Sequence, residues 1–215
     1  MLKHLQIAVT PFQQNCSIVY CDQTKDAALV DPGGDTQVLK QVLAEQGLTL
    51  KAIWLTHGHL DHVGGSAELA NEFAVEIIGP GVGDAFWLEG LDQQAQMFGL
   101  PQVDKFVPHK WFEHGDVLEL AGEKLTVRFT PGHTPGHMVF YHADTGVVFV
   151  GDVLFAGGVG RSDFPQGNHE QLMQSIQQQL LTLPDETTVV SGHGPTTTIG
   201  KERRSNPFIL QAGLS

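Results

Sequence analysis

Thr56-His57-Gly58-His59-Leu60-Asp61-His62 places three histidines and one aspartate within six positions. Imidazole nitrogens and carboxylate oxygens are the usual ligands of zinc and of other borderline metals. His57 and His59 stand two apart, so in extended chain they point the same way. Asp61 and His62 follow the turn that Gly58 permits and can aim at a second point. One short stretch can therefore supply two neighbouring metal positions.

Three more positions repeat one pattern: an apolar run ends, glycine turns the chain, and a metal-ligand type stands at the edge. They are His133 after Phe129-Thr130-Pro131-Gly132, Asp152 after Phe149-Val150-Gly151, and His193 after Val190-Ser191-Gly192. Glycine lets backbone approach a site with no side chain in the way. Two divalent ions about 3.5–4 Å apart can share a water and stabilise the charge that builds during hydrolysis. Metal-bound water can reach a pKa near 7, so hydroxide is available at neutral pH. Asp61 and Asp152 bring the negative charge that lets two cations sit close together, and are the candidate catalytic carboxylates. His137, four residues after His133, reads as a hydrogen-bonding partner that orients a ligand.

The elements that must position these groups alternate along the chain. Leu5 to Val9, Asn15 to Cys21 and Ala27 to Val30 read as strands, the last closed by the turn Asp31-Pro32-Gly33-Gly34. Asp35 or Thr36 can cap a helix carrying Val38, Leu39, Val42 and Leu43, ended by Gly47. Ala52 to Leu55 is the strand that delivers the histidine-rich loop. Ser66 to Phe73 reads as a helix and Val75 to Ile78 as a strand, and Phe86, Trp87, Leu88 and Leu91 suit a short helix beside the site. A second half beginning near Val103 supplies strands at Val117 to Leu120 and Leu125 to Phe129. A hairpin over Val139 to Val150 turns at Asp144-Thr145-Gly146. Asn168 and Gln171 form a capping box for a helix showing Leu172, Ile176, Leu180 and Leu183. Val189-Val190 is the last strand. Strands interleaved with helices predict an α/β sandwich in one domain over residues 1–215. Trp54 is expected between layers, and Phe86, Trp87 and Phe98 in the core. His4, His109, His114, His142 and His169 are expected at the surface.

The chain has 215 residues, 41% apolar, with 24 acidic and 12 basic side chains for a net charge of -12. That balance suits a holder of multivalent cations and argues against nucleic acid or an anionic membrane as partner. No run is long and apolar enough for a membrane span, and the first residues lack the pattern of a secretory signal. Cys16 and Cys21 lie five apart in one strand, on opposite faces, so no disulfide between them is expected. The expected compartment is the cytoplasm, and the expected state a monomer or small homo-oligomer.

The order His57-x-His59-x-Asp61-His62, His133, Asp152, His193 resembles the metallo-β-lactamase superfamily. Within it, Thr-His-Gly-His-Leu-Asp-His at 56–62, Pro-Gly-His-Thr-Pro-Gly-His at 131–137, Gly-Gly-Val-Gly-Arg-Ser-Asp at 157–163 and Asn206-Pro207-Phe208 are similar to the glyoxalase II (hydroxyacylglutathione hydrolase) branch, in particular its short bacterial proteins. The resemblance implies a four-layer αββα sandwich of two mixed sheets flanked by helices, with a binuclear site. It implies that His57, His59 and His133 hold one ion, that Asp61, His62 and His193 hold the other, and that Asp152 bridges them. The ions would be zinc first, with iron or manganese as alternatives.

The implied reaction is hydrolysis of an acyl-glutathione thioester, of the S-lactoylglutathione type, by a metal-bridging hydroxide. A thiolate, from a thiol of pKa about 8.5, leaves with little help from an acid. The resemblance puts Arg161 where such enzymes keep a cation for a glutathione carboxylate. It departs at Ser162-Asp163, where longer relatives have aromatic residues. The C-terminal helical substrate domain of the longer enzymes is expected to be absent, with Lys201, Arg203 and Arg204 as possible substitutes or a solvated face. The alternatives are hydrolysis of another thioester or ester, and a mononuclear iron persulfide dioxygenase.

Overall fold

Two six-stranded sheets lie face to face in the computed structural model, which describes residues 1–214. The first sheet runs in chain order: β1 (Leu2–Val9), β2 (Gln14–Cys21), β3 (Asp26–Val30), β4 (Thr49–Trp54), β5 (Glu76–Gly81) and β6 (Lys110–Phe112). β1 to β3 pair antiparallel, and β3 to β6 pair parallel across helical crossovers. Those crossovers contain α1 (Thr36–Glu45), α2 (Leu60–Val63), α3 (Ser66–Phe73), α4 (Ala85–Glu89) and α5 (Leu91–Phe98).

The second sheet is built from β7 (Val117–Leu120), β8 (Glu123–Phe129), β9 (Met138–His142) and β10 (Val147–Gly151), followed past a small hairpin, β11 (Leu154–Phe155) and β12 (Gly158–Val159), by β13 (Thr188–Ser191) and β14 (Thr197–Thr198). Its order is β14-β13-β10-β9-β8-β7. β10 and β13 are parallel, while β9 runs opposite to both β8 and β10. β8, β10 and β13 therefore end on the same edge. The helices α6 (His169–Ser175), α7 (Ile199–Ser205) and α8 (Pro207–Gln211) belong to this half.

Period-two alternation divides the strands between three apolar layers. On β2, Cys16 and Ile18 face Leu39, Leu43, Leu69 and Leu91 of the helices, while Val19 and Cys21 face the other sheet. Between the sheets, Trp54 meets Phe140 edge-on with ring centroids 6.4 Å apart. Below the second sheet, Val139, Val148 and Val189 pack on Leu172, Ile176, Ile199 and Ile209. Each such fully buried side chain contributes about 1.5–3 kcal/mol. Helix, sheet, sheet, helix is the expected four-layer order. Both cysteines are buried and free, on opposite faces of β2.

Several local expectations change. The second half starts after Phe112, not near Val103, because Lys110–Phe112 closes the edge of the first sheet; its first strand is Val117–Leu120, as expected. Asp35 does stand at the start of α1, in left-handed backbone, but its carboxylate accepts the N–H of Thr10 at 2.8 Å instead of capping the helix. Asn168 caps α6 by accepting the Gln171 N–H at 2.9 Å, but its own N–H donates to Gly132, so the box is half made. His142 is buried, held by Thr145 at 2.7 Å, and is not a surface group. No helix among the described residues is long and apolar enough to cross a membrane.

Candidate metal centre

All seven predicted ligand residues meet where strands of both sheets end. His57 and His59 lie just beyond β4, and Asp61 and His62 on the single turn of α2. His133 follows β8, Asp152 follows β10 and His193 follows β13. The two sheets are tied here by Asn15, which donates from its side chain to Ser191 and Gly194 carbonyls at 3.1 and 2.8 Å and from its backbone to Gly192.

Outer partners decide which nitrogen of His57, His62 and His133 faces inward. His133 Nδ1–H donates to the Arg161 carbonyl at 2.6 Å, leaving Nε2 as a bare acceptor. Thr56 donates its hydroxyl to Asp31 at 2.5 Å, so His57 Nδ1–H donates to Thr56 Oγ1 at 3.0 Å and His57 Nε2 is bare. Both Nε2 atoms stand 3.1 Å from His59 Nδ1. Three nitrogens converging at this separation match ligands about 2.0–2.1 Å from one zinc-sized ion, which sit roughly 3.3 Å apart at tetrahedral angles. Hydrogen bonding alone cannot satisfy three such lone pairs.

The second triad is Asp61, His62 and His193. Asp61 Oδ2 is 3.3 Å from His193 Nε2 and 3.8 Å from His62 Nε2. Asp152 stands between the triads: Oδ1 is 3.4 Å from His62 Nε2, and Oδ2 is 3.8 Å from His133 Nε2 and 3.6 Å from His193 Nε2. His62 Nε2 and Asp152 Oδ1 are buried with no hydrogen-bond partner. Buried polar atoms left without partners in two linked triads fit a pair of cations, which would take the place of the His62 proton.

Protonation follows from the same crowding. Burial, and then neighbouring histidines, push His57 well below its ordinary value and His59 down to about 3. Burial works against ionising Asp152, but His62, His133 and His193 hold it below the usual carboxylate range. Burial likewise opposes the His62 imidazolium, yet Asp152 and Asp61 raise it well above its ordinary value. One triad thus keeps its imidazoles neutral, ready to ligate, and the carboxylates stay charged.

Four supporting residues were not foreseen as such. Asp31, read as a turn residue, accepts from the Thr56 N–H at 2.7 Å and from His62 Nδ1 at 2.9 Å. Asp84 accepts from the Gly58 N–H at 2.8 Å, the Gly136 N–H at 2.5 Å and the Thr134 hydroxyl at 2.7 Å, clasping both ligand loops. Burial raises its pKa to about 6, against the pull of those three donors. Gln94 accepts from the Leu60 N–H at 2.9 Å, and Thr56 links Asp31 to His57. Their only sequence signal is a polar residue at a position that packing must bury. His137 Nε2 accepts the Asp152 N–H at 3.2 Å and its Nδ1 pairs with Thr130 Oγ1 at 3.1 Å, so neither nitrogen is spare; its ring stacks on His57 at 4.9 Å.

A cavity of about 650 Å³ opens over the cluster, with His59, Asp61, His133, Asp152 and His193 in its floor. Phe86, Trp87 and Phe98 line it, correcting their expected place in the core; α4 and α5 hold them over the site. Trp87 lies edge-on to His59 at 4.5 Å, and Phe12 meets Phe98 at the rim at 5.6 Å. Arg161 lines the cavity, but it is not free: Asp163 accepts from its Nε and Nη2 at 2.9 and 2.8 Å. Arg203 and Arg204 instead pair with Asp185, and Arg203 also donates to the carbonyls of Leu181 and Leu183; they anchor α7, and neither they nor Lys201 line the cavity.

Residues 9–193 match the family model of the metallo-beta-lactamase superfamily, and the chain belongs to that superfamily. It is a metal-dependent hydrolase, and its His/Asp clusters are of the kind that hold divalent metals. It is 50% identical over 204 residues to hydroxyacylglutathione hydrolase GloC of Haemophilus influenzae, covering 94% of this chain and 96% of that one. Among solved structures it is similar to TTHA1623 in a di-iron-bound form, with 38% identity, TM-score 0.86, and 95% and 99% of the two chains covered. It is also similar to the BLEG-1 B3 metallo-beta-lactamase, with 36% identity, TM-score 0.88, and 97% and 99% covered.

Proposed function

We propose that this chain hydrolyses acyl-glutathione thioesters of the S-lactoylglutathione type with two divalent ions, zinc first among them. His57, His59 and His133 would hold one, Asp61, His62 and His193 the other, with Asp152 shared. The observation that carries this is the reach of the two Asp152 oxygens to imidazoles of both triads. The similarity to a hydroxyacylglutathione hydrolase supports the choice of substrate. Bound there, the ions would bring a water to ionise near neutral pH and polarise an acyl carbonyl.

The chain supplies the rest. Asp31, Thr56 and the Arg161 carbonyl orient the rings of His62, His57 and His133; His57 and His133 present a lone pair without reorganisation, and His62 would give up its Nε2 proton to a bound ion. His137 holds the backbone of Asp152. Trp87, Phe155 and Phe164 form an apolar wall that keeps bulk water off the acyl group. No proton donor is needed for the leaving group, because a thiolate leaves unassisted.

The test is release of free thiol from S-lactoylglutathione by metal-loaded protein, followed with a thiol reagent, beside Asp152→Ala. Turnover lost by about 100-fold or more in the variant is expected. Wild-type protein no faster than the variant would end the assignment.

A further inference from the structure

Among the described residues that line the cavity, Arg161 is the one lysine or arginine. Its guanidinium lies over the Phe164 ring at 4.3 Å, and that ring packs at 5.0 Å from His59 and 6.0 Å from His133. The cation is therefore held at the wall of the reaction site. Its side-on fork, Nε and Nη2, is occupied by both oxygens of Asp163. That is the bidentate geometry in which arginine best receives a carboxylate. Asp163 is not part of the cavity wall and is two-thirds exposed.

We propose that Asp163 is a specificity-determining residue: it acts as a built-in competitor that occupies Arg161 and weakens recognition of substrates bearing a carboxylate on the thiol side. The inference rests on the thioester reading above and refines it. A glutathione carboxylate must either displace Asp163 from the fork or take the end-on edge beside a second negative charge. Both routes subtract from binding. An uncharged thioester meets only the apolar walls and loses nothing. Because the ion pair is exposed, the handicap is modest and salt-sensitive.

Calorimetric binding to metal-loaded protein tests this without turnover. The probes are S-hexylglutathione and the uncharged S-hexyl thioether of N-acetylcysteamine, and the readout is the ratio of their Kd values. Asp163→Asn should move that ratio roughly three- to fivefold in favour of S-hexylglutathione at low salt, and the gain should shrink at 0.5 M salt, an about threefold shorter screening length than at 0.05 M. The double variant Asp163→Asn with Arg161→Met should lose the gain. An unchanged ratio, a shift toward the uncharged probe, or no measurable binding of S-hexylglutathione by either protein would overturn the proposal. Failure of the hydrolase reading is a separate result, seen as no thiol release from S-lactoylglutathione by the same preparation.

Discussion

Asp31 Oδ2 lies 2.9 Å from Nδ1 of His62, and both side chains are buried. The contact fixes the imidazole so that Nε2 points at Asp61 and Asp152. Asp31→Ala should therefore weaken one ion selectively, by about 10–100-fold in affinity, with the other retained. Competitive titration with a chromophoric chelator would resolve the two sites. Equal weakening of both would show that Asp31 acts on the fold and not on His62.

Asp84 joins the loop of His57 to the loop of His133 through three donors. Its folded pKa, raised to about 6 by burial, sets the sign of its pH dependence. The native state binds the proton more tightly than the unfolded chain, so its contribution is fully present below about pH 4 and declines as pH rises through 6. Asp84→Asn lacks this dependence. In urea unfolding of metal-free protein, the stability difference between wild type and variant should shift against wild type by up to about 3 kcal/mol from pH 4 to pH 7. A constant difference would mean that the three donors fully offset burial.

Gly192 precedes His193 and lies against the shared carboxylate. A methyl group there would stand 2.4 Å from Asp152 Oδ1 and 2.7 Å from His62 Cε1. Gly192→Ala should displace Asp152 and lower thiol release by about 100-fold, at a stability cost of about 1–3 kcal/mol. Retention of full activity and both ions would show that the loop yields freely.

Phe12 and Phe98 meet edge-on at the cavity rim while each is about two-fifths exposed. Removing both rings should change stability little and raise KM for long-chain acyl thioesters more than for a lactoyl thioester. Kinetics of the double alanine variant across acyl lengths measures this, and equal changes for all lengths would assign the pair to packing alone.

The cluster of candidate ligands was legible because its chemistry is local. His57 to His62 and the three strand ends each carry a residue type that apolar surroundings do not otherwise call for, and glycine marks the close approach. The layers were legible for a similar reason: alternation on β2 separates Cys16 from Cys21. Asp31 was not legible as a support, since Asp-Pro-Gly-Gly signals a turn whether or not its carboxylate reaches 2.9 Å to His62. Asp84 and Gln94 act on loops distant in sequence, which only the fold brings near. Trp87 and Phe98 could not be assigned from type, because aromatic residues on a helix suit a core and a cavity wall equally. Arg161 lines the cavity, but its pairing with Asp163 depends on loop geometry that the sequence does not display.

Two triads linked through Asp152 should hold two ions. Elemental analysis of purified protein loaded with zinc and freed of loosely bound metal tests it most directly, alongside His57→Ala and His193→Ala. Two ions per chain are expected in the wild type and one tightly held ion in each variant. A single ion in the wild type, lost in only one of the variants, would contradict it and favour a mononuclear centre.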